Sequence, residues 1–165
     1  MRQATRSLAV GLGLALAAIS AQAAGTVQVS FVQPDQFADA GDARRDVEGN
    51  VRVLARHLES LAGRLGAGQK LSIDVIDVDL AGELQPWGHA QQDLRVLRGA
   101  ADIPRIKLRY TLEASGQASR SGEHVLTDLG YLQRINRYPA GEALRYEKRM
   151  LDEWFSEQFA VAPAK

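Results

Sequence analysis

The stretch Lys70-Leu-Ser-Ile-Asp-Val-Ile-Asp-Val-Asp-Leu80 constrains this chain more than any other. Leu71, Ile73 and Val75 are apolar at odd positions, whereas Ile76, Val78 and Leu80 are apolar at even ones. Strand side chains alternate between faces with period two, so a change of phase within one strand needs an extra residue. The pattern predicts the longest strand of the chain, with a β-bulge near Val75-Ile76. With that bulge in place, Asp74, Asp77 and Asp79 all fall on the face opposite the core.

Arg105 to Leu112 is a second one-sided strand. Ile106, Leu108, Tyr110 and Leu112 form its apolar face, and Arg105, Lys107 and Arg109 the other. An acidic and a basic strand are expected as neighbours: opposite charges across strands contribute ~0.2–1 kcal/mol per pair, and like charges there are unfavourable. Three aspartates also admit a metal reading. Hard cations need several oxygens converging from a loop, however, so a solvated charge ladder on a half-exposed antiparallel sheet is preferred. Ser119 to Thr127 is a further strand after the Ser115-Gly116 turn, and a tight loop there sets Glu123 opposite Arg109.

Thr26 to Val32 alternates and reads as a first strand, ended by Gln33-Pro34-Asp35. Phe37, alone in a polar loop, is expected to tuck back onto the core. The clearest helix follows. Val47, Val51, Leu54, Leu58, Leu61 and Leu65 recur at spacings of four and three and make one apolar stripe. Asp42 is its expected N-cap, and Gly66 and Gly68 end it. His57, on the flank of the stripe, is expected to be structural. A second helix is predicted over 142–159, with Leu144, Leu151, Trp154, Phe155 and Phe159 inward and Glu142, Glu147, Lys148, Arg149, Asp152 and Glu153 on the rest of its surface.

The N-terminus carries an address rather than structure. Arg2 and Arg6, an apolar run from Leu8 to Ile19, and Ala21-Gln22-Ala23 make a secretory signal peptide over residues 1–23. The run is too short for an ordinary membrane span. Cleavage leaves a single domain over 24–165, ending in a short disordered tail, and takes the formal charge from zero to −2. That charge argues against a general nucleic-acid binder. With no cysteine, disulfides, thiol nucleophiles and zinc–thiolate sites are all excluded.

Two surfaces are candidates for function. Trp87 stands between Pro86 and Gly88 in a loop, where it can stack on a ligand or close the core. In the segment Tyr131-Leu-Gln-Arg-Ile-Asn-Arg-Tyr138, a helical conformation sets Tyr131, Arg134 and Tyr138 on one face and turns Leu132 and Ile135 inward. Tyr and Arg are enriched at binding hot spots, and Arg134 or Arg137 can hold a phosphate or carboxylate. Arg145 and Tyr146 extend this surface.

The chain resembles a family of bacterial secreted proteins known as domain of unknown function 3016. The resemblance rests on Val29-Ser-Phe-Val32 with Asp39, Asp77-Val-Asp-Leu-Ala-Gly82 with Pro86-Trp87, and Pro104 to Tyr110. Ser121-Gly-Glu123, Tyr131-Leu132 with Arg134-Ile135 and Arg137-Tyr138, and Arg145 to Phe155 complete it. It implies a secreted location and no particular activity.

No Gly-rich phosphate loop, His-Glu-x-x-His helix or Gly-x-Ser-x-Gly elbow occurs. No cofactor or metal is expected. The leading expectation is a periplasmic binding or envelope-accessory protein that meets an envelope protein or an anionic envelope component. It would carry no stable membrane span once the signal is removed. The alternative is a small envelope hydrolase using Asp79, Glu123 and His89. The expected fold is α+β: a mainly antiparallel sheet of four or five strands with two long amphipathic helices packed on one face.

Overall fold

The computed structural model describes residues 24–86 and 93–159. The signal segment, Trp87, His89 and the C-terminal tail lie outside the described residues. Strands β1 (Thr26–Phe31), β2 (Lys70–Asp79), β5 (Arg105–Glu113) and β6 (Arg120–Thr127) form one sheet in the order β1-β2-β5-β6. Strands β3 (Glu83–Pro86) and β4 (Asp93–Val96) form a separate two-stranded ribbon between β2 and β5. Helix α1 (Arg44–Ser60) connects β1 to β2, and α2 (Arg145–Phe159) closes the fold.

The four-stranded sheet is mixed rather than mainly antiparallel. β1 and β2 run parallel, because the α1 crossover returns the chain to the same end of the sheet, while β2, β5 and β6 are joined antiparallel. β4 pairs with β3 in the ribbon and is not an edge of the main sheet.

The phase slip in β2 is where the register predicts it. Asp74 and Val75 face Arg109 and Leu108, then pairing resumes at Asp77 opposite Lys107, leaving Ile76 as the extra residue. Leu71, Ile73 and Val75 before the bulge, and Val78 and Leu80 after it, are all buried. The outer face is the charge ladder. Arg105 lies 3.1 Å from Asp79 and 3.8 Å from Asp77, Arg109 3.5 Å from Asp74, and Lys107 2.9 Å from Glu123. Glu123 faces Arg109 in the register, while its side chain reaches diagonally to Lys107. The aspartates are thus met by arginines, and among the described residues no three His, Asp or Glu side chains gather to hold a metal ion.

Both helices contribute to one core on the inner sheet face. Leu54, Leu58, Leu61 and Leu65 come from the α1 stripe and the 3-10 turn Leu61–Arg64 that follows it; Met150, Leu151, Trp154, Phe155 and Phe159 come from α2. Phe37 packs against this core as expected. Asp42 is not the N-cap of α1. Ala43 holds that position without a side-chain bond, and α1 starts at Arg44. α2 starts at Arg145, later than residue 142, because Leu144 holds a left-handed φ of 54° that no helix continues through. Among the described residues no helix is long and apolar enough to cross a membrane.

The segment 131–138 is a series of turns, not a helix. Tyr138 precedes Pro139, which disfavours the helical region. Asn136 donates to the Arg145 carbonyl at 2.9 Å and accepts from the Tyr138 amide at 3.0 Å, local bonds that compete with a helical ladder. Leu132 and Ile135 accordingly do not point inward, and Ile135 is 97% exposed.

Candidate functional site

Helix α2 buries four charged side chains, Glu147, Lys148, Arg149 and Asp152. A buried charge is costly unless it is paired and hydrogen-bonded, so their partners reveal what the helix holds in place. Arg149 pairs with buried Asp128, and its other guanidinium nitrogen donates to the carbonyls of Arg134 at 3.0 Å and Ile135 at 3.3 Å. Asp128 also accepts from the Gly130 amide at 3.1 Å. The bond to Arg134 takes a carbonyl that a helix over 131–138 would have given to the Tyr138 amide. Both bonds also pin the segment to α2 by its backbone, with Leu132 and Ile135 facing outward.

Asp152 is the second anchor. Its Oδ2 accepts from Arg137 and, at 2.5 Å, from the Tyr138 hydroxyl. Its Oδ1 lies 3.4 Å from both His57 Nε2 and Arg64, and makes no hydrogen bond. His57 Nε2 sits 3.1 Å from the Lys148 carbonyl, which requires the Nε2–H tautomer in neutral histidine. Burial, only partly offset by Asp152, holds the His57 imidazole below its usual pKa. Burial and the bond to Asp152 push the Tyr138 phenol up. Through Asp152, the segment, α1 and α2 meet at one point.

The predicted binding residues divide accordingly. Tyr131 is buried, with its hydroxyl 3.3 Å from both the Gly99 amide and Asp102, and its ring edge-on to Tyr146 at 4.9 Å. It is a support, not a contact surface. Tyr138, set edge-on against His57, is likewise structural. Arg134 and Arg137 are half exposed, and they bond Glu153 at 2.7 Å and Asp152 respectively. Arg145 lies over the Tyr146 ring at 5.2 Å, away from this cluster. What the segment displays instead is Leu129, Leu132 and Ile135. Beside Ile135 runs a shallow cleft bordered by Arg64, Arg134, Arg137, Asp152 and Glu153.

Of the residues of the hydrolase reading, Asp79 and Glu123 do not meet. Asp79 pairs with Arg105 and Glu123 with Arg109 across β5, four positions apart, or ~13 Å at about 3.3 Å per residue. His89 is outside the described residues.

Sequence reasoning assigned the α2 charges to its outer surface and so missed Asp128, Arg149 and Asp152 as organisers. For Glu147 and Lys148 a signal was present, whereas Arg149 falls outside the apolar arc. At about 100° per residue, Glu147 falls between Trp154 and Leu151, and Lys148 between Phe155 and Phe159, inside the apolar arc. Charges placed there must be buried or break the helix face.

This fold carries an established family signature: residues 25–157 match the family described as Protein of unknown function (DUF3016). The chain belongs to that family. A search of curated proteins finds no match. The DUF3016 match spans the whole sheet, α1, the ribbon, the braced segment and nearly all of α2, so the buried anchors and the loop they hold lie within the family's own domain.

Proposed function

We propose that this DUF3016 protein is an exported binding protein of the bacterial envelope. It docks a partner protein through the loop 129–138, with Ile135 as the anchor and Arg134 and Arg137 as the rim. The observation that carries this reading is the combination at Ile135: a side chain 97% exposed on a backbone whose own carbonyl is held by buried Arg149. A large apolar side chain left in water gains nothing for folding, and a floppy loop would lose entropy on binding. A rigid loop with exposed Leu132 and Ile135 avoids much of that loss. The partner chemistry that fits is an apolar depression with a polar rim of both signs, because Arg64, Arg134 and Arg137 flank Ile135 together with Asp152, Glu153 and Glu157.

The reading also needs export, for which the N-terminal segment is the argument.

The test is photo-crosslinking in living cells with the probe at Ile135 and a control probe at exposed Arg56. A discrete adduct at Ile135 alone, lost with Ile135→Ser at unchanged melting temperature, supports the reading. Burying one isoleucine supplies about 2 kcal/mol, or roughly 30-fold in affinity. Equal adducts at both positions, or none at either, would refute it.

A further inference from the structure

The main sheet ends at β6, and among the described residues no strand pairs with the outer edge of β6. We infer that this edge joins the same edge of a second copy of the chain. The two β6 strands run antiparallel about a two-fold axis, and the two four-stranded sheets become one continuous sheet. The edge is separate from Ile135 and from the contact proposed for it.

An open edge offers unpaired backbone N–H and C=O groups to another strand, and folded proteins guard such edges with proline, lysine, a bulge or a short strand. β6 has none of these. Its sequence, Arg-Ser-Gly-Glu-His-Val-Leu-Thr, holds neither proline nor lysine. It pairs with β5 residue for residue, from Arg120 opposite Leu112 to Thr127 opposite Arg105, without a bulge. No residue of the strand is buried, and Val125 is 58% exposed. The opposite edge of the sheet is guarded. β1 has only six residues, and just beyond it Gln33, at a left-handed φ of 54°, leads into Pro34.

The side chains of β6 fit a second β6. Gly122, His124 and Leu126 lie on the core side, where the Trp154 indole donates to His124 Nδ1 at 3.2 Å. Ser121, Glu123, Val125 and Thr127 lie on the side of the charge ladder. A two-fold axis through the joined edges keeps like faces together, so only residues of the same parity can stand opposite one another. Centring the axis on Glu123 sets that carboxylate directly opposite its own copy, which is unfavourable. Centring it on Val125 keeps only 123–127 within both strands. Centring it on His124 pairs the whole of 121–127. Glu123 then stands opposite the second copy's Val125, and Ser121 opposite the second copy's Thr127, with no carboxylate facing another.

Long-range charge does not oppose the meeting. The formal charge is zero for the whole chain and −2 without residues 1–23, and a net charge near zero permits association. The contact is small. A single strand edge buries less than the roughly 800 Å² per partner of a standard interface, so the dimer is weak and forms at micromolar concentration and above.

The experiment is sedimentation velocity of the mature chain from micromolar to millimolar concentration. A reversible monomer–dimer equilibrium is expected. Val125→Glu sets a carboxylate directly opposite the second copy's Glu123, twice by symmetry, and should weaken the dimer at least tenfold. Val125→Lys sets a cation at the same place and should leave the dimer no weaker than that of the native chain. Val125 lies on the open face of an edge strand, so both variants should melt within a few degrees of the native chain, which checks that each folds. A dimer that both variants weaken, or that neither weakens, would overturn the proposal. So would a chain that stays monomeric to millimolar concentration, an outcome that leaves the edge to an extended segment of another protein.

Discussion

Removing the Arg149 guanidinium should loosen the candidate loop and destabilise the whole protein, because that group is buried, paired and shared. Arg149→Met keeps the length and apolar stem of the side chain but strands Asp128, whose side chain is 4% exposed, without its closest cation. The Gly130 amide remains as a donor, and Arg134 stays 3.7 Å from the other oxygen, too far to replace the lost bond. Breaking a buried pair by removing one partner costs about 3–5 kcal/mol. At about 3–4 °C per kcal/mol for a domain of this size, the melting temperature should fall by ~10–20 °C. Adding Asp128→Leu removes the stranded charge and should recover most of the loss, since replacing both partners by apolar groups is often neutral. Urea unfolding of the single and double variants measures the coupling, and hydrogen exchange of residues 129–138 reports the loosening directly. A loss under about 1 kcal/mol for Arg149→Met, or a double variant as unstable as the sum of the singles, would refute the bracing argument.

Three further outcomes follow from the same contacts. Burial holds the folded-state His57 pKa below its ordinary value, so the unfolded chain binds the extra proton first. Stability should therefore fall as pH drops below about 6.5, and that part of the slope should vanish in His57→Gln when the two unfolding curves are subtracted. Gly82 has φ +81°, and a Cβ there would lie 2.6 Å from Leu97 and 2.7 Å from the Val96 carbonyl; Gly82→Ala should cost at least ~2 kcal/mol in chemical unfolding, and a neutral result would contradict the close approach of ribbon and core. Arg109→Gln removes an open ladder pair with Asp74 at 3.5 Å and should cost under about 1 kcal/mol, with any larger loss showing that the outer sheet face is buried in the working protein.

Much of the scaffold was legible in the chain itself, and the reason is local periodicity. The change of phase at Val75-Ile76, the facing acidic and basic strands, and the stripe from Val47 to Leu65 each encode one element's burial in its own spacing. The faces of the candidate segment were not legible: across Tyr131 to Tyr138 the exposed and buried members are exchanged from those expected, with Tyr131 interior and Ile135 exterior. An eight-residue stretch whose carbonyls are claimed by Arg149 does not follow helical periodicity, so a wheel drawn on it misassigns its faces.

By itself, then, the sequence determined the four strands of the main sheet and the helix after β1, where β2 must bulge, and which sheet face is charged. Those properties depend on neighbours within a few positions, or on matching patterns along two strands. Only the tertiary structure decided that β1 lies parallel to β2, that β3 and β4 leave the main sheet, and that α2 turns its charges inward. Each of these depends on groups far apart in the chain, such as Asp128 reaching Arg149 or His57 reaching Asp152. Distant partners decide whether a charge is stranded or satisfied, and that balance sets the burial of α2 and the shape of the loop it holds.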